Sequence, residues 1–333
     1  MQVLVTGASG FIGRDLCTRL LEDGHSVTAV VRTTALPRAT RLAAAATPAG
    51  RLRVLPIDTL DDRNAWTTAL RGIRGVVHLA GRAHQGEASD AATRADFQRI
   101  NVDFTDLLLD CAGRGGVEHI VFMSSSKVFG ETSALRPDGQ WQRFDAHAKA
   151  QPEGPYGASK HAAECLLQAG CARRSMQLTI FRPPLVYGPG VGGNLRALQR
   201  AIQRGLPLPL ASINNRRSLV HRSSLNDAIA RALQQVQPDR QRIYTLADLE
   251  TSTPDLIRMM ADGLMRPARL LPCPVDLLRL VGRITGRSPA VARLSESFVV
   301  DSSALAEDLQ WQPRSDHSAD WRAIGHAFLR STD

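Results

Sequence analysis

The chain has 333 residues, 43% of them apolar, and a formal net charge of +9; this composition suffices for one or two packed domains and excludes a disordered protein. The basic excess is almost entirely arginine, scattered without aromatic-rich basic runs, so it indicates an anionic small-molecule ligand and not a nucleic acid. Because the start lacks signal-peptide regions and no apolar stretch approaches about 20 residues, we expect a cytoplasmic protein without membrane insertion.

The N-terminal half alternates short apolar strands with amphipathic helices. Strands are predicted at residues 2–6, 26–31, 52–57, 75–79, 119–124 and 178–181, and helices at 12–22, 63–70, 90–112 and 157–171. This alternation is typical of an α/β protein with a Rossmann-type, doubly wound parallel sheet. Ligands of such sheets bind at the carboxyl ends of the strands, which directs attention to the residues that follow each strand.

The second half is less regular. After residue 187 the alternation fades and proline and glycine become frequent. We expect residues 1–187 to form the sheet domain, with a strand at 243–246 returning to it, and residues 188–333 to form a smaller C-terminal lobe. The stretch 270–284 predicts an amphipathic helix with a proline entry. The five cysteines lack zinc-like spacing, so they predict small buried side chains and no metal site.

A glycine motif, TGASGFIG, joins the first strand to the first helix. Gly7 permits the tight turn, Gly10 lets the backbone approach a pyrophosphate, and Gly13 lets helix and strand pack closely. The free amides of the helix N terminus, with the backbone of Phe11 and Ile12, then face the phosphates. The motif predicts a bound dinucleotide.

The end of the second strand bears on the choice of dinucleotide. NAD-binding members of such folds usually carry a carboxylate there, whereas this strand is followed by Arg32. An arginine can pair with a 2′-phosphate and stack on adenine, which favours NADP(H) and leaves NAD(H) open. Asp58, just after the third strand, is placed to accept from the adenine amino group.

Tyr156 directly precedes the helix predicted at 157–171, and Lys160 lies within it. Because the two residues are four positions apart, we expect them to share one helix face. The lysine cation favours a tyrosine phenolate, and we expect it to lower the tyrosine pKa toward neutrality. Such a tyrosine can exchange a proton with a substrate oxygen. A serine cluster, Ser124–Ser126, ends the fifth strand at the same edge of the sheet and can hydrogen-bond that oxygen.

Taken in order, TGASGFIG, VVHLAG at 76–81, Asn101-Val102, SSSKVFG at 124–130, YGASK at 156–160 and RPPLVYGPG at 182–190 resemble the extended short-chain dehydrogenase/reductase family, in its nucleotide-sugar branch. The resemblance implies a dinucleotide-binding sheet domain and a C-terminal lobe that binds a nucleotide sugar. It implies Ser125, Tyr156 and Lys160 as catalytic residues. The cofactor would be held by residues from the glycine turn, the strand ends and the two catalytic positions: Gly7, Gly10, Phe11, Ile12, Gly13, Arg32, Asp58, Leu79, Ala80, Gly81, Asn101, Tyr156 and Lys160.

Departures from the family patterns reduce the range of candidate activities. The 4,6-dehydratases carry an acid pair after the catalytic threonine, whereas Ser126 and Lys127 stand here, which disfavours dehydration. Phe129 replaces a usual tyrosine and weakens the analogy with the epimerases. Further segments resemble O-antigen 4-reductases that act on UDP-2-acetamido-2,6-dideoxy-4-keto-hexose. By that resemblance, substrate contacts would come from His84, Ser126, Asn194, Arg217 and Arg293.

Three functions therefore stand open. The first is NAD(P)H-dependent reduction of the C4 keto group of that UDP-sugar, for surface polysaccharide synthesis. The second is a UDP-hexose or UDP-N-acetylhexosamine 4-epimerase with tightly bound NAD, and the third is a non-catalytic NADP-binding sensor or scaffold. The resemblance also implies a homodimer, because in the family the helices predicted here at 90–112 and 157–171 pair with their copies, and both carry surplus apolar residues.

Overall fold

A seven-stranded parallel sheet forms the centre of the molecule, in a computed structural model that describes residues 1–36, 50–83, 90–235 and 240–331. The strand order is β10-β7-β5-β4-β1-β2-β3, and all neighbours run parallel. The strands are β1 (Gln2–Thr6), β2 (Ser26–Val31), β3 (Leu52–Pro56), β4 (Gly75–His78), β5 (His119–Met123), β7 (Gln177–Arg182) and β10 (Gln241–Thr245). The predicted α/β fold class is confirmed.

Helices cover both faces of this sheet, and the pleat explains why. Along β1, Val3 and Val5 belong to one buried apolar cluster and Leu4 to the other, as alternation in a strand requires. The first cluster includes α1 (Gly13–Glu22) and α7 (Arg222–Gln234). The second includes α2 (Arg63–Leu70), α4 (Phe104–Gly115) and α5 (Pro155–Arg173). The sheet is therefore doubly wound.

The segment predicted as one helix at 90–112 is in fact three pieces. Helix α3 (Ala91–Phe97) begins at Asp90, whose carboxylate accepts from the Thr93 amide at 2.7 Å. A π-helical turn, Gln98–Asp103, follows and leads into α4. A π turn inserts one residue into the helical register, which rotates the side chains after it. The turn contains Asn101, one of the predicted cofactor residues.

The remaining elements build a smaller body with its own core. A three-stranded sheet of order β11-β9-β8 is formed by β8 (Leu185–Tyr187), β9 (Arg217–His221) and β11 (Leu249–Thr251). Its core includes Tyr187, which stacks on Trp321 with ring centroids 5.1 Å apart. The other elements are β6 (Arg143–Phe144), α6 (Gly193–Gln203), α8 (Thr253–Gly263), α9 (Val275–Ile284), α10 (Ser288–Ser295), β12 (Val299–Val300), α11 (Ser303–Leu309) and α12 (His317–Arg330).

The two bodies share elements. Strand β10 lies beside β7 in the large sheet, although it follows β8 and β9 in the chain. Leu225 and Ile229 of α7 also pack in the core of that sheet. The division at residue 187 stays a prediction. Across the described ranges, no helix has the length and apolar character to cross a membrane, and no cluster of three or more His, Cys, Asp or Glu could hold a metal ion.

Candidate active site

The glycine turn between β1 and α1 leaves no room for a side chain at Gly7 or at Gly13. Gly7 has a φ of +67°, and a Cβ there would lie 2.9 Å from the Ala80 amide nitrogen. A Cβ on Gly13 would lie 2.4 Å from the Gly7 carbonyl oxygen. Among the described residues, no side chain caps the N terminus of α1. This end of the helix can thus face a phosphate, as the pyrophosphate of a dinucleotide requires, although the Arg14 amide already donates to the Gly10 carbonyl at 3.3 Å.

A buried chain of hydrogen bonds fixes the strand ends beside this turn. The Thr6 hydroxyl accepts from the Ala80 amide at 3.0 Å and therefore donates to His78 Nδ1 at 2.8 Å. His78 Nε2 then donates to the Thr105 hydroxyl at 3.0 Å, which donates to the Asn101 carbonyl at 2.7 Å. Burial lowers the pKa of His78 to about 3, so the ring is neutral and this direction is the consistent one.

The Asn101 side chain joins three segments at the same edge. Its Oδ1 accepts from the Arg82 amide at 2.8 Å, and its Nδ2 donates to the Ser159 hydroxyl at 2.9 Å. A Cβ on Gly81 would lie 3.1 Å from Asn101 Oδ1 and 3.2 Å from Lys160 Nζ. The structure therefore brings the predicted residues Leu79–Gly81, Asn101 and Lys160 together. The π turn is what directs the buried Asn101 side chain to this edge.

The three predicted catalytic residues also meet here. Ser125 begins a 3₁₀ turn, Ser126–Phe129, and accepts from the Lys127 amide at 3.2 Å. The half-buried Tyr156 makes a side-chain hydrogen bond with Ser125. Lys160 is buried, and its ammonium donates to the Met123 carbonyl at 2.8 Å. A serine, a tyrosine and a lysine thus face one point at the end of β5, the arrangement that proton exchange with a substrate oxygen needs.

The pKa of Tyr156 differs from the value expected from the sequence, and the pKa of Lys160 is shifted as well. Burial raises the pKa of Tyr156, and the hydrogen bond with Ser125 opposes this only in part. Burial also lowers the pKa of Lys160 to about 8, against the opposing charge of Glu164. The expected lowering of the tyrosine pKa by Lys160 is wrong for this structure: desolvation raises that pKa, and the Lys160 ammonium is held by a backbone carbonyl.

Sequence reasoning missed the ion pair behind Lys160. Glu164, one turn further along α5, accepts from Arg182 Nε at 3.0 Å and from its Nη2 at 2.7 Å. The two side chains are 1% and 6% exposed. The Arg182 guanidinium also lies 4.8 Å from the centre of the Phe129 ring, in the turn that follows Ser125. The pair therefore connects the helix that carries Tyr156 and Lys160 with the turn that carries Ser125.

A second missed residue is Arg222, at the start of α7. Its Nη1 donates to the Phe11 carbonyl at 3.1 Å and to the Pro189 carbonyl at 3.0 Å. Its guanidinium also pairs with Asp15 and lies 4.7 Å from the centre of the Phe11 ring. This one side chain ties the glycine turn to the segment after β8. No local sequence pattern could reveal a contact between residues so far apart in the chain.

The residues predicted to select the dinucleotide lie at the ends of β2 and β3. Arg32 is exposed and directly precedes a 3₁₀ turn, Thr33–Ala35. The Asp58 carboxylate accepts from the Thr33 amide at 2.7 Å and from its hydroxyl, and these bonds lower the Asp58 pKa. Asp58 thus holds the turn that presents Arg32.

Cationic side chains gather on the other side of Ser125. Arg217 donates to the carbonyls of Arg293 at 2.8 Å and Glu296 at 3.1 Å. Burial, together with the charges of Arg217 and Arg293, lowers the pKa of Lys127 to about 8. Lys127 also pairs with Glu131. The concentration of positive charge beside Ser125 suits an anionic group such as a diphosphate.

The other predicted substrate residues are placed less uniformly. Ser126 is buried and its amide donates to the Pro183 carbonyl at 2.9 Å. Asn194 is exposed near the start of α6. His84 lies outside the described residues. Ser124, which the sequence grouped with Ser125, has a buried hydroxyl with no hydrogen-bond partner in the described parts of the chain. Such an orphaned hydroxyl at the sheet edge fits a site that receives a polar ligand.

Comparison with known proteins agrees with this geometry. The chain is 32% identical to a UDP-glucose 4-epimerase of Vibrio cholerae over 333 residues, covering 99% of this chain and 96% of that protein. The structure of MoeE5 in complex with UDP-glucuronic acid and NAD superposes with a TM-score of 0.74 at 25% identity, over 99% of this chain and 100% of that one. A Bacillus cereus UDP-glucuronic acid 4-epimerase in complex with NAD shares the fold, with a TM-score of 0.78 at 20% identity over the whole of both chains.

The sequence profile of the NAD dependent epimerase/dehydratase family matches residues 3–247, which span the glycine turn, the Ser125 turn and the Tyr156–Lys160 helix. This match covers more than half of the chain, and the expected resemblance is confirmed. The chain therefore belongs to the NAD dependent epimerase/dehydratase family, whose members are extended short-chain dehydrogenases/reductases.

Proposed function

We propose that this protein carries out NAD-dependent oxidoreduction at C4 of a UDP-linked hexose, with 4-epimerisation as the first candidate reaction. The observation that carries the proposal is the meeting of Ser125, Tyr156 and Lys160 at the end of β5, beside a glycine turn that fits a dinucleotide. When bound, the nicotinamide supplies hydride transfer to and from the sugar carbon.

The chain's own residues supply proton transfer and orientation. Tyr156 returns a proton to the C4 oxygen as the phenol, the form that its raised pKa favours, and takes a proton from the C4 hydroxyl only as the phenolate. Ser125 donates a hydrogen bond to that oxygen and stabilises the charge that builds on it. The buried ammonium of Lys160 lies beside Gly81 and Asn101, where it serves both the tyrosine and the cofactor ribose. Lys127, Arg217 and Arg293 hold the anionic part of the substrate.

The position of Phe129 supports the epimerase candidate. Its ring is 3% exposed and stacks on Phe144, with centroids 5.1 Å apart. Phe144 in turn stacks on Phe298 at 5.2 Å. Because the Phe129 ring is buried in this aromatic cluster, the absence of a tyrosine hydroxyl at this position counts less against an epimerase. The full-length likeness to a UDP-glucose 4-epimerase supports this first candidate.

The second candidate is reduction of a UDP-2-acetamido-2,6-dideoxy-4-keto-hexose. It is supported by Lys127 at the position where a dehydratase needs an acid, and by the resemblance of the surrounding segment to O-antigen 4-reductases. For the cofactor, NAD is proposed first, because NAD accompanies the UDP-sugar in the structure of MoeE5. The exposed Arg32 supports use of NADP as well.

Cofactor retention separates the two candidates. The purified protein is denatured, and the released nucleotide is quantified and identified. An epimerase is expected to release near-stoichiometric NAD and to interconvert UDP-glucose or UDP-N-acetylglucosamine with its 4-epimer without added cofactor. A reductase is expected to consume added NADH or NADPH with the 4-keto sugar. Tyr156→Phe is the matched control, and failure of both reactions with wild-type protein would refute the proposal.

A homodimer is proposed as well, with weaker support than the sequence indicated. Most of the apolar residues on the two helical segments pack into the monomer core, and Ile100, Leu107 and Leu166 are only half-buried. Cys165, expected to be buried, is exposed on α5. These side chains form the face that a second copy would cover. Sedimentation at micromolar concentration tests it, and a single species near 36 kDa would refute the dimer.

A further inference from the structure

Exposed apolar side chains concentrate in one short segment of the smaller body. Ten large apolar side chains are exposed in the described parts of the chain, and six of them fall in the twenty residues from 265 to 284. These six are Met265, Leu271, Leu277, Leu280, Val281 and Ile284. Single exposed apolar residues need no explanation, but a cluster of this kind marks an interaction surface.

Four of the six form a stripe along α9. Leu277, Leu280, Val281 and Ile284 are spaced by three and four residues, so they lie on one side of the helix, and they are 49% to 76% exposed. The protein side of the helix is marked by Gly282, where a Cβ would lie 2.9 Å from Val291 of α10. The stripe therefore faces away from α10, the helix against which α9 packs.

Charge beside the stripe is strongly one-sided. Between residues 265 and 287 there are five arginines, at 266, 269, 279, 283 and 287, and one acidic residue, Asp276. Arg279 pairs with Asp276 and with Glu296. The exposed Arg283 and Arg287 lie at the end of α9 and just beyond it. Arginine side chains can extend their guanidinium groups to a polar boundary while their stems cover apolar surface.

We propose that α9 and its flanking arginines, here called the arginine-flanked face, dock this protein on an anionic lipid surface. An amphipathic helix with aliphatic residues on one face and arginines beside it lies in the plane of a membrane interface. At ten residues, α9 is too short to span a bilayer, so it lies on the surface and does not cross it. A second protein would need a matching acidic rim, whereas an anionic lipid surface supplies both the apolar layer and the negative charge.

The arginine-flanked face is close to the proposed substrate site. Arg279 of α9 donates to Glu296 Oε1 at 2.9 Å, and Arg217 donates to the backbone carbonyl of the same Glu296 at 3.1 Å. Glu296 thus contacts both α9 and Arg217, the side chain that would hold the substrate diphosphate. A membrane-docked protein would keep this side of its site at the lipid boundary.

Vesicle binding tests the inference without reference to turnover. The full chain is mixed with phosphatidylcholine vesicles, with and without phosphatidylglycerol, and bound protein is separated by flotation. Wild-type protein is expected to bind the phosphatidylglycerol vesicles, and binding is expected to weaken as salt is raised. The double variant Arg283→Gln/Arg287→Gln is expected to lower partitioning about 25-fold, since each basic side chain near such a surface contributes about fivefold.

Apolar variants provide the second arm. Leu280→Gln/Ile284→Gln is expected to lower partitioning at least about tenfold, because both residues would enter the acyl boundary. Leu135→Gln is the matched control, since Leu135 is 57% exposed in another part of the molecule. Thermal unfolding confirms that each variant folds. Equal binding to both kinds of vesicle, no binding by wild-type protein, or equal loss in the control would overturn the proposal. Wild-type protein that binds no vesicles but self-associates would assign the face to a protein contact instead, provided that Leu280→Gln/Ile284→Gln abolishes the self-association.

Discussion

Neutralising Glu164 is expected to change both the stability of the fold and the pH range of activity. The carboxylate is fully buried and receives two hydrogen bonds from Arg182, at 2.7 and 3.0 Å. In Glu164→Gln the guanidinium keeps its charge but loses its counterion, in a site where water cannot replace it. Breaking a buried pair in this way costs about 3–5 kcal/mol.

The same substitution is expected to move the alkaline limit of activity. Glu164 favours the charged form of Lys160, whose pKa burial lowers to about 8. Without that carboxylate the pKa of Lys160 falls further, so the ammonium is lost at a lower pH. If charged Lys160 supports turnover, the alkaline limb of the kcat profile shifts to lower pH in the variant.

Denaturant unfolding and a pH profile of kcat measure the two effects. The double variant Glu164→Leu/Arg182→Met is the matched control, because apolar replacement of a whole buried pair is often neutral for stability. It is expected to recover unfolding free energy while keeping the shifted profile. A Glu164→Gln protein within about 1 kcal/mol of wild type, a cost well below that of a broken buried pair, would show that the pair does not hold α5 to the Ser125 turn.

Two further substitutions address the site directly. Tyr156→Phe removes the phenolic hydroxyl and leaves the ring, whose centroid lies 5.8 Å from that of Phe97. We expect kcat to fall about 10²–10⁴-fold while cofactor affinity, measured by titration, is unchanged. Near-normal turnover would exclude Tyr156 from the mechanism. Arg32→Asp is expected to weaken NADPH relative to NADH by about 10- to 100-fold, the value of a charge-assisted hydrogen bond. An unchanged ratio of Michaelis constants would show that Arg32 does not reach the ribose.

Local pattern was enough to predict the sheet. The strands predicted at 2–6 and 26–31 have the same bounds in the structure, and the others differ by one or two residues. Short apolar runs between turn residues carry this information within a few positions. The glycine turn was partly predictable for the same reason, because the contacts that exclude a side chain at Gly13 come from Gly7 and Ala8, whereas the contact with Ala80 that excludes one at Gly7 depends on the fold.

What the sequence could not provide depends on contacts between distant segments. Helical periodicity reveals neither the π turn at Asn101 nor the hydrogen bonds of that residue with Arg82 and Ser159. Nothing in the local sequence distinguishes Arg222 from the other arginines, and its hydrogen bond to the Phe11 carbonyl depends on the fold. The burial that raises the pKa of Tyr156 is a property of the assembled pocket, and spacing alone suggested the opposite direction.

The buried chain from Thr6 to Asn101 bears on how any pH profile of this protein is assigned. A kinetic limb near pH 6 to 7 is conventionally ascribed to histidine. Burial lowers the pKa of His78 to about 3, of His119 to about 4 and of His221 to about 4, so none of these three changes charge in that interval. His78 keeps a single tautomer while the lysine beside it titrates. A limb in that interval is therefore not to be assigned to these three histidines, and the hydrogen bonds of His78 keep one direction through it.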